Sequence, residues 1–568
     1  MILADIFYLI LEIMFGAACF AMAIISDKFK NSKFKLVYLL PGVVSVAITA
    51  VAGYDKLFIP LYVACALAAL GFFFEKKVLR QIFAVIVVVA AIGVSVLCST
   101  SDAYRAPDYV AEFDDAFAKM KENYVLTEYK DIDFDELYDK YRPMIKDANA
   151  RHDKIDYCIA WMRFCDEFKD GHVAFMHNFN EAEMDLLYER LYGYDFGFSM
   201  IRMSDGRIVA VNVEKDSEAE KAGIINGTVI LEWNGIPIEE MVAAFDAPLP
   251  ENIPVKESED FLRVVYASGQ SGDTLTVKYL TGDAGTGDGP IATVSGTLAY
   301  DDAEVCEVTL NKLGIYRNRM EDTLGKLLDG KLETNLTVSQ INDTTAFIRI
   351  DGMGYDSNSY GTGEYGKMYE ELKTNLQAQK DAGVTDLIID LRANTGGDPN
   401  FDMTVFRLLF PEGEYVISYN SVWDYDNACF MVDETTGDYV LGKPNKFTGE
   451  GFWGDGKIIV LVSATTISAG DMFTEMISRL DNVTIMGITP SNCSCQAVRG
   501  VDMKYGALSF SAVPNLTAEG KIYIDNDVLR EVTIPLDVKV DVDDEFIDAV
   551  FNRDEDYVLD KAIELISK

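Results

Sequence analysis

Two short segments of the chain place residues that could do chemistry directly after continuous apolar runs. In TDLIIDLRANTGGD the run leads to the glycine pair Gly396 and Gly397, and in IIVLVSATTISAGD it leads to Ser468, Ala469 and Gly470. Glycine lets backbone N–H groups approach a negatively charged oxygen closely. A hydroxyl at the start of a helix lies beside unpaired N–H groups that stabilise negative charge. Ser468 alone would suit a helix N-cap, but the two segments together favour a reacting hydroxyl beside an oxyanion site.

The surrounding sequence predicts the elements that must position these residues. Both segments lie where continuous apolar strands alternate with helical patterns, and such strands are typical of sheets covered on both faces. We therefore predict an α/β core over residues 306–568. Residues 101–186 instead show helical spacing of apolar residues, as at Tyr109, Phe113 and Phe117, and predict a helical region.

Between these regions, residues 187–305 contain short alternating strands with glycine and aspartate turns. The stretch AGIINGTVILEWNGIPI, with Phe196, Gly197 and Phe198 upstream, resembles a circularly permuted PDZ domain of the kind found in bacterial proteases. The resemblance implies that these three residues form a carboxylate-binding loop, beside which a peptide adds to the domain as an extra strand. A β-domain without a binding function is the alternative.

Several segments, in order along the chain, resemble the tail-specific (C-terminal processing) and tricorn-core family of serine peptidases. TDLIIDLRANTGGD and SATTISAGDMF match its active-site segments, IDFDELYDKYRPMI and FKDGHVAF its N-terminal helical part, and EVTIPLDVKVD its closing segment. The resemblance extends over roughly residues 105–568. It implies a multi-domain serine endopeptidase that cleaves peptide bonds of a peptide or protein substrate through an acyl-enzyme.

The resemblance also assigns the nucleophile and the oxyanion hole. Ser468 matches the nucleophile, and the N–H of Ala469 with an amide at Gly396 or Gly397 would form the oxyanion hole. Each such donor is typically worth ~3–4 kcal/mol in acyl transfer.

The base and its orienting acid follow from the same resemblance. One branch of the family uses a lysine some residues after the serine, but the corresponding stretch, GITPSNCSCQ, contains none. The tricorn-like branch uses a histidine, and His172 in FKDGHVAF matches it, with a side chain suited to proton transfer near neutral pH. Glu531 resembles the acidic residue that orients the base, with Asp525 or Asp527 as alternatives.

The first hundred residues differ in kind from the rest. Clusters of lysine and arginine lie in the first and third connections between four apolar runs, and such loops remain cytoplasmic. We therefore predict a four-helix transmembrane bundle over residues 1–100 that anchors the chain and contacts membrane lipid. The protein would be a multi-pass cell-membrane protein with both termini and the peptidase region extracytoplasmic. The runs have 18 to 21 residues, near the ~20 of a membrane span, and are Ile6–Ser26, Leu36–Gly53, Leu57–Phe74 and Gln81–Cys98.

Composition narrows the choice of partners. The chain has 91 acidic and 50 basic residues, a net charge of −41; the first hundred residues contribute +3 (eight basic, five acidic), so the remainder carries −44. So acidic a surface repels phosphate, which excludes nucleic acid as a partner.

The nine cysteines form no Cys-x-x-Cys pair and there are only three histidines, so we predict no metal site and no cofactor. The disulfide state stays open.

Two other functions remain compatible with the sequence. A catalytically inactive peptide-binding protein on the same fold would explain the missing lysine and the uncertain acid. Transport or sensing through the predicted membrane bundle is the second, although few charged residues lie within the apolar runs. Labelling by a serine-directed probe would exclude the inactive protein.

Overall fold

The computed structural model provides a full description of most of the chain after residue 107. Thirteen helices and twenty-two strands lie in the part that it describes. This part consists of residues 108–249, 252–281, 304–329, 336–354, 365–492, 496–522 and 534–568.

The N-terminal region is helical and surrounds a cluster of aromatic side chains. Its first helix buries Tyr109, Phe113, Phe117 and Met120, which recur at spacings of three and four residues. The rings of Phe113 and Trp161 lie 4.8 Å apart. The elements are α1 (Tyr109–Asn123), α2 (Phe134–Arg151), α3 (Lys154–Asp166), β1 (Ala174–His177) and α4 (Glu181–Tyr192).

A β-rich module follows. It contains a four-stranded sheet of order β6-β5-β7-β8 and a separate antiparallel β3–β4 pair, against which α7 packs. Its core holds Phe198 and Trp233, whose rings lie 5.8 Å apart. The elements are β2 (Tyr194–Asp195), β3 (Ser199–Arg202), β4 (Ile208–Val211), α5 (Glu218–Lys221), β5 (Ile230–Trp233), β6 (Ile236–Pro237), α6 (Ile238–Ala243), α7 (Lys256–Tyr266), β7 (Thr274–Thr281) and β8 (Glu304–Asn311).

The C-terminal region is an α/β core. Segments of π-helix follow α8 and α12. The elements are β9 (Gly314–Ile315), α8 (Arg317–Leu324), β10 (Thr337–Gln340), β11 (Thr345–Arg349), α9 (Tyr365–Asp381), β12 (Asp386–Asp390), α10 (Pro399–Leu409), β13 (Gly413–Ser421), β14 (Trp423–Asp424), β15 (Cys429–Phe430), β16 (Leu441–Gly449), β17 (Ile458–Leu461), α11 (Ala469–Ile477), β18 (Val483–Gly487), β19 (Ala497–Met503), β20 (Gly506–Val513), β21 (Asn515–Thr517), β22 (Val538–Lys539), α12 (Asp544–Ile547) and α13 (Tyr557–Ile566).

The central sheet of this core has the order β10-β11-β12-β17-β18-β22 and is parallel except for β10. Strands β12 and β17 lie side by side, with Ile388 opposite Ile459, and both are buried. Because parallel strands end at the same edge, the turn after β12 and the turn after β17 meet there. These turns carry the glycine pair and Ser468.

The predicted fold class and location need correction. Within the residues from 108 onward that the structure describes, no helix combines the length and apolar composition needed to cross a membrane. Even the longest, α2 with 18 residues, carries charged side chains along its length and buries one face only. The prediction of a four-helix transmembrane bundle, with lipid contact and a multi-pass location, is therefore wrong for the architecture observed, which is an α/β peptidase fold. The four apolar runs themselves lie outside the described residues.

The described cysteines carry no disulfide. Cys158, Cys165, Cys306 and Cys429 are free thiols. Burial raises the pKa of Cys158 to about 12, so this thiol stays protonated and unreactive at neutral pH.

Candidate active site

Ser468 occupies the turn between β17 and α11 in an unusual backbone conformation. Its φ of 61° and ψ of −123° fall where residues with a Cβ are rarely found. Ser468 stands at the N-cap position, yet its side chain makes no capping hydrogen bond. The structure therefore does not support the alternative of a simple helix cap, and the half-buried hydroxyl has no hydrogen-bond partner among the described residues.

The glycine pair lies directly against Ser468. Gly396 has φ +90°, and a Cβ added there would come within 2.5 Å of the Ser468 Cβ. Gly397 has φ +146°, and a Cβ there would come within 2.5 Å of the carbonyl oxygen of Met353. Both positions thus require glycine, for their backbone conformation and for the close approach.

Hydroxyl groups of the second turn hold the two turns in register. The hydroxyls of Ser463 and Thr465 each donate to the Arg392 carbonyl at 2.6 Å. The Thr466 hydroxyl donates to the Leu391 carbonyl at 2.8 Å. These bonds satisfy the last carbonyls after β12 with side chains that follow β17, so neither turn can shift without the other.

A buried ion network fixes the base of the glycine turn. Asp390, at the end of β12, accepts hydrogen bonds from Arg392 at 2.7 Å and from Arg349 at 3.0 Å. Arg392 also binds both carboxylate oxygens of Asp556 at 2.7 Å. Because every member is paired, the network fixes the end of the strand without leaving an isolated buried charge.

Two backbone amides next to Ser468 are unpaired in the described part of the chain. The Gly396 N–H donates to the side-chain oxygen of Asn394 at 2.8 Å. The Gly396 carbonyl accepts the Met353 N–H, and the Asp398 N–H donates to the Met353 carbonyl. Because Gly397 lies between these two residues, its own N–H and carbonyl point to the opposite side. The Gly397 N–H and the Ala469 N–H have no acceptor among the described residues. Of the two glycine amides considered from sequence, Gly397 therefore has the N–H that an oxyanion could use.

His172 lies in a turn that a buried aspartate shapes. Asp170 is 1% exposed and accepts hydrogen bonds from the His172 N–H at 2.9 Å and from the Tyr124 hydroxyl at 3.1 Å. Burial lowers the pKa of His172 below its usual 6.5, and the Asp170 carboxylate and the Gln496 backbone carbonyl oppose this shift. The Nδ1 atom is buried and has no hydrogen-bond partner among the described residues. A neutral imidazole of this kind can accept a proton.

A short chain of contacts links His172 to Ser468. The His172 ring interacts with the Gln496 carbonyl, and the Gln496 side chain accepts the Asn515 N–H at 2.7 Å. The Asn515 side chain lies 3.4 Å from the Met472 sulfur, and Met472 donates its N–H to the Ser468 carbonyl at 3.0 Å. Three residues therefore connect the turns of His172 and Ser468, and no hydrogen bond joins the hydroxyl and the imidazole in the described part of the molecule.

The predicted acid falls outside the structure. Glu531 and its alternatives Asp525 and Asp527 all belong to the segment 523–533, which is not among the described residues.

The stretch in which the other branch of the family has its lysine instead supports helix α11. Ser491 donates its hydroxyl proton to the Asp471 carboxylate in the first turn of that helix, and both residues are buried. The Asn492 N–H donates to the Thr466 carbonyl at 2.8 Å. This stretch therefore supports the turn that carries Ser468.

The loop predicted to bind a peptide carboxylate makes its contacts within the chain. Phe196 and Phe198 are buried in the core of the β-rich module. The Gly197 N–H donates at 2.8 Å to the Asp195 carboxylate, which also accepts a hydrogen bond from Arg319 at 2.7 Å.

The neighbouring strand edge is occupied as well. The N–H of Met200 donates to the Ser268 hydroxyl at 2.8 Å, and that of Ser204 to the Val542 carbonyl at 2.9 Å. The N–H of Met200 in β3 and that of Ser204, which lies just after it, are thus already bonded within the chain.

Sequence reasoning missed the residues that join the turns. Asn394, Thr466 and Ser491 were not assigned a role, because their bonds are made to residues distant along the chain. The hydroxyl-rich stretch SATT directly after an apolar strand was the one local signal, since such side chains often satisfy backbone groups at strand ends.

Comparison with protein-family models matches residues 344–520 to peptidase family S41. Residues 107–156 match the tricorn protease C1 domain. A search of curated protein sequences finds no match to the chain.

Solved structures show the same fold. Mature CPAF complexed with lactacystin is 13% identical, with a TM-score of 0.51 over 81% of this chain and 98% of that chain. Mature CPAF alone is 14% identical, with a TM-score of 0.50 over the same shares. The S41 match spans both Ser468 and the glycine pair, and the tricorn match covers the helical region before His172. The chain is a serine-type peptidase, and its matched segments support the tail-specific and tricorn-core group of peptidase family S41.

Proposed function

We propose that the protein is an endopeptidase that cleaves peptide bonds through an acyl-enzyme formed on Ser468. The Ser468 hydroxyl attacks the scissile carbonyl carbon while His172 takes up its proton. The carbonyl oxygen becomes an oxyanion that the amides of Gly397 and Ala469 stabilise. His172 then returns the proton to the leaving amine, and water hydrolyses the ester in the same way.

The observation that carries the proposal is the state of Ser468. Its hydroxyl has no structural partner in the described part of the chain, and its backbone is strained. The two unpaired amides lie at the Gly396–Ser468 contact. A serine in a merely structural role would use its hydroxyl for the helix cap.

The role of His172 is supported by its lowered pKa and by its contacts to the segments around α11. The hydroxyl and the base of an unliganded enzyme often tighten their hydrogen bond only when substrate binds. We propose Glu531 as the residue that orients the imidazole, since the Nδ1 atom, which has no partner among the described residues, is available to bind it.

The decisive experiment compares Ser468→Ala with Ser478→Ala. Ser478 lies at the other end of α11, is exposed and bonds only to the local Glu475 carbonyl in the described structure. We expect Ser468→Ala to lose cleavage of fluorescein-labelled casein and labelling by a fluorophosphonate probe, and Ser478→Ala to keep both. Full cleavage by Ser468→Ala would refute the mechanism.

The alternative, an inactive peptide-binding protein on the same fold, predicts a different result. The wild-type protein would then neither cleave casein nor react with the probe, while a fluorescent peptide would still bind to it. One observation favours this alternative: no hydrogen bond joins the Ser468 hydroxyl and the His172 imidazole among the described residues.

The division into a helical part at 101–186, a PDZ-like domain at 187–305 and a peptidase core at 306–568 is part of the proposal. We infer that binding of a peptide terminus to Phe196, Gly197 and Phe198 requires the Asp195 carboxylate to leave the Gly197 amide. Peptide binding by this domain would therefore be coupled to rearrangement of its internal contacts.

A further inference from the structure

Asn394 connects three segments at the edge of the central sheet. It is fully buried, two residues before Gly396. Its side-chain N–H donates to the Ile350 carbonyl after β11 at 2.9 Å, and its side-chain oxygen accepts the Gly396 N–H at 2.8 Å. Its backbone carbonyl accepts the Ile467 N–H at 3.1 Å, directly before Ser468.

The bond to Gly396 decides which amide faces the reacting group. Without this acceptor the peptide groups of the glycine turn could rotate, because glycine has wide backbone freedom. With it, the Gly396 N–H points into the protein, and the N–H of Gly397 remains unpaired among the described residues beside Ser468.

The same side chain also meets the start of helix α11. A Cβ added to Gly470 would come within 2.7 Å of the Asn394 side-chain oxygen. Asn394 thus contacts both turns that supply the two proposed oxyanion donors, Gly397 three residues after it and Ala469 beside Gly470.

We propose that Asn394 is the positioning residue of the oxyanion hole. It touches no reacting atom; it aligns the Gly397 amide with the Ala469 amide so that both point at the same oxygen. The inference rests on the proposed acyl-enzyme mechanism and adds to it the group that orders the hole before substrate binds. Displacing one donor by about 1 Å costs on the order of 100-fold in rate.

The test uses a pair of variants that differ by one hydroxyl. Asn394→Ser and Asn394→Ala both lose the bond to Ile350 and leave similar cavities. Serine, however, can accept the N–H of the residue two positions later in the way that asparagine does. We expect Asn394→Ala to lower kcat by ~100-fold with KM nearly unchanged. Asn394→Ser should recover most of that loss.

A second readout separates positioning from general destabilisation. A peptide aldehyde that adds to Ser468 leaves its oxygen in the oxyanion hole, so its affinity should fall in parallel with kcat. Affinity for the uncleaved peptide, measured in a Ser468→Ala background, should not change. Asn482→Ala is the matched control, because Asn482 also donates to a backbone carbonyl, that of Gly456 at 2.6 Å, away from the two turns.

The outcomes distinguish the two proposals. Equal kcat in Asn394→Ala and Asn394→Ser, or a loss confined to KM, would overturn the positioning role while the nucleophile assignment stands. Retained cleavage by Ser468→Ala would instead overturn the mechanism on which the inference rests. Thermal unfolding of each variant shows that the comparison is made between folded proteins.

Discussion

Ser468 holds a conformation that costs free energy in the folded state. Residues with a Cβ at positive φ outside the normal regions typically cost ~1–3 kcal/mol each. The described structure gives the side chain no compensating hydrogen bond. Such strain is expected where the fold must hold a side chain in one position, and here that position is the N-terminus of α11.

Relief of this strain is measurable. We expect Ser468→Gly to raise the free energy of unfolding by ~1 kcal/mol or more, because glycine adopts this conformation freely. Ser468→Ala should leave stability close to that of the wild type, since it keeps the Cβ. Both variants should be inactive. Thermal unfolding of the three proteins makes the comparison, and a less stable glycine variant would show that Ser468 is not strained.

With His172 as the proposed base, we expect its protonation state to set the pH range of activity. Its lowered pKa means that the imidazole stays neutral, and able to accept a proton, at pH values below the ordinary 6.5. Activity should therefore persist just below pH 6.5 and fall only as the pH passes down through the lowered value. The pH dependence of kcat/KM measures this limit.

His172→Gln should abolish turnover at every pH in the same assay. The control is His177→Gln, because the ring of His177, the last residue of β1, stacks on Phe179 and is not part of the proposed mechanism. An acid limit well above pH 6.5, or unchanged turnover in His172→Gln, would contradict the role of His172 as the base.

At the scale of elements, the hydroxyls that follow β17 join the turn after β17 to the turn after β12. Thr466 is fully buried; it donates to the Leu391 carbonyl and accepts the Ser463 N–H at 3.0 Å. We expect Thr466→Val, which keeps the shape, to destabilise the fold by ~1–3 kcal/mol, since it leaves the buried Ser463 N–H unpaired and removes one of the two donors to the Leu391 carbonyl, which keeps the Asn394 N–H. Unfolding by denaturant measures the change.

Thr374→Val is the matched control for this variant. The Thr374 hydroxyl bonds to the Glu370 carbonyl at 2.6 Å within an exposed part of α9. Water can replace that bond, so the control should stay within ~0.5 kcal/mol of the wild type. Equal effects of the two substitutions would mean that the hydroxyl of Thr466 does not hold the turns together.

The elements of the core were predictable because their signals are local. Continuous apolar strands indicated β12 and β17, and the glycine pair and Ser468 follow them within the same segments. The bonds that Asn394 makes were not predictable, since Ile350 and Ile467 lie far away along the chain and only the sheet order brings them close. Local patterns thus indicated where the turns lie but not how they are joined.

Predictions that relied on hydropathy or resemblance alone did not anticipate the contacts and helices of the described structure. Apolar length predicted membrane spans, but the described helices are amphipathic and none could cross a membrane. The resemblance to a carboxylate-binding loop could not reveal that Asp195 already occupies the Gly197 amide, because that contact depends on the folded geometry of the loop.

At the scale of the whole molecule, the proposed site combines residues from distant parts of the chain. His172 comes from the turn before β1, and β1 joins the core by pairing with β20, Ala174 opposite Ser509. The proposed site therefore requires the helical region, which carries His172, and the α/β core, which carries Ser468, to fold as one unit. No single segment contains the complete site.

The net charge of −41 is also a property of the whole molecule. A strongly acidic protein attracts cationic partners and repels acidic ones over roughly a Debye length, ~10 Å at 0.1 M salt. We expect peptides with added lysines far from the cleaved bond to have a KM ~10-fold lower at low salt than versions with glutamate there. In 1 M salt, where the Debye length is ~3 Å, the two values should converge. Steady-state kinetics at several salt concentrations measures this, with glutamine versions as the neutral control. A KM that depends on neither salt nor peptide charge would show that the acidic surface lies away from the path of the substrate.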